Sequence, residues 1–348
     1  MTTLSAVEVA ERIAARPDGW VDLRGVEIED VDFGHAHSAT RLERFDFRGA
    51  TLTRCTFTNA SLRDVKFQEA RLIDCDLRYT EFERTSFKRA SLTGCDLYRS
   101  RLGANTIFES SDISACSLHL AVFDGVALPR SAVEEGQRRG LLQEREDDFA
   151  AFHADLIARG RGDDPTRTRL HLSRRHREAA DIYRALSAHW ASNGSTRDAG
   201  WAYYHARRLE TLAVRPDHLW RRRRIERDQS ALTRPGLALG SWRWLLGTSA
   251  GLIAGFGESP MRVILTTLAV MLAFAGLFAL TDVAGQAADP AWLKLTDAVL
   301  FSAQAMTASL DANLHRRWVM WAATLETTLG ITLLGLLGFC LGNRLRSA

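Results

Sequence analysis

Several residue groups in this chain have types and spacing that could do chemistry. Glu326 is the one acidic residue in the apolar run Trp318–Leu341, 24 residues long. A carboxyl group there must pair inward or meet water, which makes it a functional candidate by default; the bland reading is a structural hydrogen bond. Cys55, Cys75 and Cys95 recur every 20 residues, and Cys116 follows at a spacing of 21. Thiols at regular spacing can hold metals or cross-link. A small, weakly polar side chain also suits a tight interior, and packing is the preferred reading. His35 and His37 lack the further ligands a metal would need. Across the whole chain no nucleophile, base and orienting group recur at a motif spacing, and no glycine-rich phosphate loop is present. An enzyme is therefore set aside, with no cofactor and no resident metal expected.

These groups must be positioned by two different kinds of element. From Leu42 to Leu102 a Leu or Phe stands at every fifth position: Leu42, Phe47, Leu52, Phe57, Leu62, Phe67, Leu72, Leu77, Phe82, Phe87, Leu92, Leu97 and Leu102. That period belongs to neither a helix nor an ordinary strand and marks a repeat. A second column of small residues precedes most centres by two: Ala50, Cys55, Ala60, Ala70, Cys75, Ala90 and Cys95. The pattern resembles the pentapeptide-repeat family. The resemblance implies a right-handed quadrilateral β-helix with both columns pointing inward. Four sides of five residues require the environment to repeat every 20, and it does, with Phe47, Phe67 and Phe87 forming one ladder and the cysteines another. One residue is inserted between Leu102 and Phe108, after which Ile113, Leu118, Phe123 and Leu128 complete the last coil. Leu23, Ile28 and Phe33 read as an earlier run, broken by Gly34–Thr40. About five coils at roughly 4.8 Å each predict a rod about 25 Å long.

The net charge of +3 over 348 residues hides an uneven distribution. Residues 1–235 are polar, whereas 236–343 hold most of the long apolar runs. Val263–Leu280 is 18 residues without a charge, about 27 Å as a helix against a bilayer core of about 30 Å. It reads as a transmembrane span, and Trp318–Leu341 as a second, tilted one. Trp292–Leu310, with Lys294 and Asp297 near its start, is too polar to face lipid and reads as a re-entrant helix. Trp242–Phe256, with Arg243 and two tryptophans, suits a helix lying at the membrane interface. Arginines cluster before the first span and after the second, which predicts both termini on the cytoplasmic side. The run Arg221, Arg222, Arg223 and Arg224 is suited to anionic lipid headgroups, at about 1 kcal/mol per charge. Nucleic acid is the weaker reading, because no aromatic stacking pattern accompanies it. Met1–Trp20 reads as a short amphipathic cap without a secretory signal.

In order, Gly255–Pro260, span, short helix and span resemble the two-transmembrane ion-channel domain of bacteria, a potassium-channel-like pore. The motif residues are Gly255, Gly257, Glu258 and Pro260, then Glu326 and Gly330. The resemblance implies a homotetramer in a bacterial inner membrane, conducting monovalent cations, with Thr307, Ala308, Ser309, Leu310 and Asp311 at the filter. Both filter glycines are missing, so potassium selectivity is not carried over. Four Asp311 carboxylates would form a cation-attracting ring; the other reading is a solvated turn residue. Gly330 would allow close helix packing or bending, packing being preferred.

Residues 129–235 show helical spacing in Leu141–Ile157 and again from Arg174. A break at Asn193 and Gly194 precedes a second helix running to about Leu212. This pair resembles a tetratricopeptide-like hairpin and reads as a coupler. DNA mimicry is demoted, since residues 21–128 carry 17 Asp or Glu against 14 Lys or Arg. The expectation is thus a multi-domain, multi-pass membrane protein: N-terminal cap 1–20, β-helix 21–128, helical coupler 129–235, interfacial helix 236–260 and pore-like domain 261–343. Its partners would be the lipid bilayer, cations, other copies of itself and an unknown cytoplasmic protein or ligand. The alternative is a non-conducting membrane-tethered interaction scaffold.

Overall fold

The computed structural model describes residues 2–15, 19–34, 40–134, 141–159, 165–219, 234–281, 290–308 and 317–346. The chain forms two compact units, Met1–Trp244 and Leu245–Ala348.

The first unit begins as a β-solenoid of parallel strands. One face stacks six, in the order Thr2–Leu4, Val26–Glu29, Thr51–Thr53, Arg71–Ile73, Ser91–Asp96 and Asp112–Ser117. The first of these was not anticipated from the sequence. It pairs Thr2 with Val26 and Leu4 with Ile28, so the N-terminal cap contributes a strand as well as helix α1, Ala6–Ala15. The next step also advances by 24, with Ile28 paired to Leu52, and the following ones by 20: Leu52 pairs with Leu72, which pairs with Leu92. After the inserted residue it advances by 21, as in Leu102 with Phe123, and Ser91–Asp96 meets Asp112–Ser117 through register shifts.

The period of five has a backbone cause. Every fifth residue from Arg44 to Arg99 has positive φ, and only Gly49 and Gly94 among them are glycine. A left-handed residue at each corner turns the chain onto the next side. For a residue with a Cβ this costs roughly 1 kcal/mol. The cost is offset because the corner N–H groups bond to the next coil, for example Arg54 N to Ile73 O at 2.9 Å and Asn59 N to Arg78 O at 3.1 Å.

Inside, the repeat becomes ladders. The rings of Phe47, Phe67, Phe87 and Phe108 stack at 4.9, 4.9 and 4.7 Å, the rise of one coil. The cysteines are free and buried, and their thiols donate to carbonyls of the preceding coil: Cys75 Sγ to Leu52 O at 3.4 Å, Cys95 Sγ to Leu72 O at 3.5 Å. Burial pushes the Cys75 and Cys95 thiols well up, so they are packing residues rather than nucleophiles. Thr80 fills the same column and donates to Phe57 O at 2.8 Å.

Helices continue the first unit: α2 is Arg130–Val133, α3 Glu146–Ala158, α4 Pro165–Ser192 and α5 Thr196–Ala213. Gly194, at φ +78°, ends α4 in the left-handed turn that glycine favours, with Ser195 N bonded to Trp190 O at 2.8 Å. Tyr183, Trp190 and Trp201 pack the α4–α5 hairpin. The hairpin shares one hydrophobic core with the solenoid. Polar contacts fix the seam: Trp190 Nε1 donates to Leu128 O at 2.7 Å, Arg145 Nη2 to Ser114 O at 3.1 Å, and Arg159 Nη1 to Asp74 O at 3.2 Å.

Helix α6, Arg234–Ala254, contains the boundary between the units and starts earlier than the sequence suggested. The second unit is otherwise three helices: α7 Pro260–Leu280, α8 Ala291–Met306 and α9 Arg317–Arg346. Pro290, extended at φ −63°, ψ 149°, starts α8. Helix α8 stops at Met306, four residues before the predicted end, and Leu310 lies outside the described residues.

Candidate functional site

The second unit is built around a short helix held between two long apolar ones. Phe278 of α7 meets Phe301 of α8 edge-on at 4.9 Å, and Ala298 and Val319 complete that contact. Polar groups join the three helices at one depth. The Ser302 hydroxyl of α8 lies 2.9 Å from Met271 O of α7 and bonds to Glu326 Oε1 of α9. Glu326 is fully buried, and its other oxygen, Oε2, makes no hydrogen bond among the described residues. Next to it, Thr327 Oγ1 donates to Ala305 O at 2.6 Å. One turn on, Gly330 sits against the end of α8, where a Cβ would come within 2.4 Å of Met306 O. Glu326 and Gly330 are therefore brought together as the α8–α9 seam, and Gly330 is a packing residue. Ser302 and Thr327 escaped the sequence reading. The available signal was a hydroxyl in an apolar stretch, 24 residues before Glu326.

The face of α9 turned away from this seam carries Thr324, Thr328 and Thr332. Each donates its hydroxyl to the carbonyl four residues back, at 2.7, 2.8 and 2.7 Å, and all three are exposed. That bond satisfies the proton and leaves the hydroxyl oxygen outward as an acceptor.

The glycine motif before α7 is a turn. Gly255, Phe256 and Gly257 have φ of 56°, 57° and 94°, and a Cβ on Gly257 would lie 2.9 Å from the Phe339 ring of α9. Arg262 Nη1 donates to Gly251 O at 2.9 Å, and Pro260 occupies the first turn of α7, where its missing N–H costs nothing. Glu258 follows the turn without entering the Glu326 seam.

At the far end of α8, Thr307 caps the helix and its hydroxyl donates to Ala303 O at 3.0 Å. Ala308 then takes φ +57°. Here a left-handed residue ends a helix, and no glycine stands anywhere in 304–316. Ser309, Leu310 and Asp311 lie outside the described residues, as do His35, His37 and Arg221, Arg222, Arg223 and Arg224.

The solenoid surface is a second candidate region. Ion pairs join successive coils: Arg63 with Glu83 at 2.6 Å, Asp64 with Arg84 at 2.6 Å and Lys88 with Glu109 at 2.8 Å. Exposed pairs of this kind contribute little singly, and here they leave few unmatched charges for an acidic or basic partner. At Asp22, Asp46 and Asp76 the carboxylate accepts from the N–H two residues on while the Arg at that position folds back onto it. The Arg24 hydrogen bonds hold Asp22 down to about 2. At Asp96 the series changes, because Tyr98 stands where the Arg would be. Burial, then the neighbouring Asp76, push the Asp96 carboxyl up to about 7. Tyr98 meets His119 at 5.7 Å, next to the helical seam.

The repeat is matched independently. Residues 38–68 and 66–103 fit the family model of pentapeptide repeats in eight copies. Residues 38–103 of this chain are thus pentapeptide repeats. The pentapeptide-repeat segment is similar to three solved structures. One is HetL of the cyanobacterium Nostoc sp. strain PCC 7120, a protein involved in heterocyst differentiation regulation, at 20% identity and TM-score 0.32 over 36% of this chain and 50% of HetL. The chain thus spans half the length of that relative. A pentapeptide-repeat protein of the Arabidopsis thaliana thylakoid lumen matches at 25% identity and TM-score 0.27, over 31% of this chain and 72% of its own. Rfr23 of Cyanothece 51142 matches at 17% identity and TM-score 0.18, over 36% and 97%. No curated protein matches the chain.

Proposed function

We propose that this pentapeptide-repeat protein is a subunit of a cation-permeable membrane channel, with the solenoid as a cytoplasmic interaction or sensing domain. The observation that carries the reading is the placement of α8. A short helix with Lys294 and Asp297 near its start is fixed between two long apolar helices by Ser302, Glu326 and Gly330. An anchor would need no such inserted helix. Helices α7 and α9 are long and apolar enough to cross a bilayer, with mean hydropathy 2.5 and 1.6 in the most apolar 18-residue window of Pro260–Leu280 and of Arg317–Gly342. The arginine distribution supports an inner-membrane topology with both termini cytoplasmic. One two-span subunit cannot enclose a pore, so several copies, four by resemblance, surround it. In that assembly the hydroxyl row Thr324, Thr328 and Thr332 is the face of α9 left for water and cations, while Glu326 holds the wall together from behind. Asp311 supplies charge at the outer mouth. Reconstituted vesicles should release a sodium or potassium gradient but hold a chloride gradient, and equal retention of all three would reject the reading.

A second reading, a non-conducting tethered scaffold, is supported by the missing filter glycines: α8 ends in Ala308, and 304–316 contain none. It predicts no flux and a soluble partner captured by the solenoid.

A further inference from the structure

The histidines are distributed with a pattern that neither reading uses. Of the ten in the chain, seven lie between His119 and His218, and residues 40–118 contain none. Within 119–218 they occupy the seams that hold the α4–α5 hairpin to the solenoid and to itself. His189 of α4 faces Phe123 at 6.0 Å between ring centres, one residue from the Trp190 anchor. His205 of α5 is packed among Tyr183, Trp201 and Tyr204, at 5.0, 4.6 and 5.7 Å. His176 of α4 meets His218 edge-on at 5.0 Å. His119 lies at the solenoid's end beside Glu178 of α4, 4.0 Å from it. The buried Nδ1 atoms of His176 and His205 make no hydrogen bond among the described residues, so a proton gained there has no acceptor waiting.

We propose that the hairpin is an acid-released element: protonation of the seam histidines loosens α4 and α5 from the solenoid while the solenoid itself stays closed. The charges facing each ring support this direction. Among the described residues His176 looks onto Arg175 and His218, with Asp217 as the acid; burial, then these neighbours, hold it down to about 4. His205 faces Glu144, Glu134, Arg208 and Arg130, and its burial outweighs the acids. His189 has no charged neighbour among the described residues and is lowered by burial, against hydrogen bonds to the Phe123 and Val126 backbone. His119 faces Glu178, Asp181, His171 and Arg99, and burial again prevails. A histidine lowered in the docked state stabilises docking fully above its ordinary value of about 6.5 and loses that contribution as pH falls toward its docked value. His171 Nδ1 lies 3.0 Å from Glu178 Oε1, and the His153 ring stacks on His171 at 4.8 Å. Four rings, His119, His176, His189 and His205, therefore favour release. In the solenoid Asp96 has the opposite sign from the four, since acid restores its neutral form.

Hydrogen–deuterium exchange on the full chain in detergent micelles, at about pH 7.5 and about pH 5 and corrected for intrinsic amide exchange, tests this. Peptides from 170–213 should open at least about tenfold more at the lower pH, and those from 60–103 no more than before. His176→Gln combined with His205→Gln, neutral at both pH values, should shrink the hairpin response to about threefold or less. The proposal is overturned if the hairpin ignores pH, if the solenoid opens equally, or if the double variant keeps the full response. The wild-type contrast decides even where the variant fails to fold. None of these outcomes depends on whether the chain conducts.

Discussion

The solenoid and the three-helix unit solve the same problem, burying apolar side chains, in opposite ways. In the solenoid each coil covers the next, so the Phe47–Phe108 stack and the cysteine column are fully buried within one chain, and the surface is polar and paired. In the second unit α7 and α9 bury only 17% and 22% of their most apolar windows, leaving Leu265, Leu272, Trp321, Ile331 and Phe339 exposed. A repeat closes on itself, whereas the helices leave apolar faces uncovered among the described residues. The difference teaches where to look for function: the solenoid offers a finished surface, and the helices offer an unfinished one that lipid and further copies would complete.

Breaking the solenoid's self-sufficiency should have the largest effect. Phe67→Ala removes a ring stacked on both sides and should cost about 3–5 kcal/mol, read as a lowered denaturant midpoint of the first unit. The helices' dependence on one close approach comes next. Gly330→Ala puts a Cβ against the end of α8 and should cost about 1–3 kcal/mol, seen as lower thermal stability in detergent with the solenoid transition unmoved.

Titration sharpens the contrast within the first unit. Asp96, raised to about 7, keeps its proton in the folded state longer than in the unfolded chain. Its contribution is therefore fully present below the ordinary carboxylate range and is lost as pH rises from about 4 to about 7. Asp96→Asn should flatten that slope and raise stability above pH 7 by about 2 kcal/mol, measured by denaturation at several pH values. The smallest effect is at Ala308, where glycine takes φ +57° without strain: Ala308→Gly should stabilise α8 by about 0.5–1 kcal/mol, read by the same thermal assay.

The solenoid was legible because a repeat states its environment many times. Centres, ladders and the inserted residue before Phe108 followed from spacing, whereas the inward place of the cysteines came from the family resemblance. Its corners were not legible, because arginine, aspartate and tyrosine take the left-handed conformation that sequence usually reserves for glycine. Nor was Thr2–Leu4, three residues whose strand exists only because the next coil offers an edge. In the second unit hydropathy marked the long helices and the intervening short one. Spacing along one helix could not show that Glu326 points at Ser302, since that contact joins two helices. The same geometry gives Glu326 the structural hydrogen bond that was one of its two readings.

The most direct test of the channel is single-channel current from purified protein in planar bilayers under sodium, potassium and chloride gradients, with Asp311→Asn alongside. The account predicts cation-selective current, weakened in Asp311→Asn. Silence from folded, oligomeric protein, persisting after residues 1–235 are removed, would contradict it and leave the tethered scaffold.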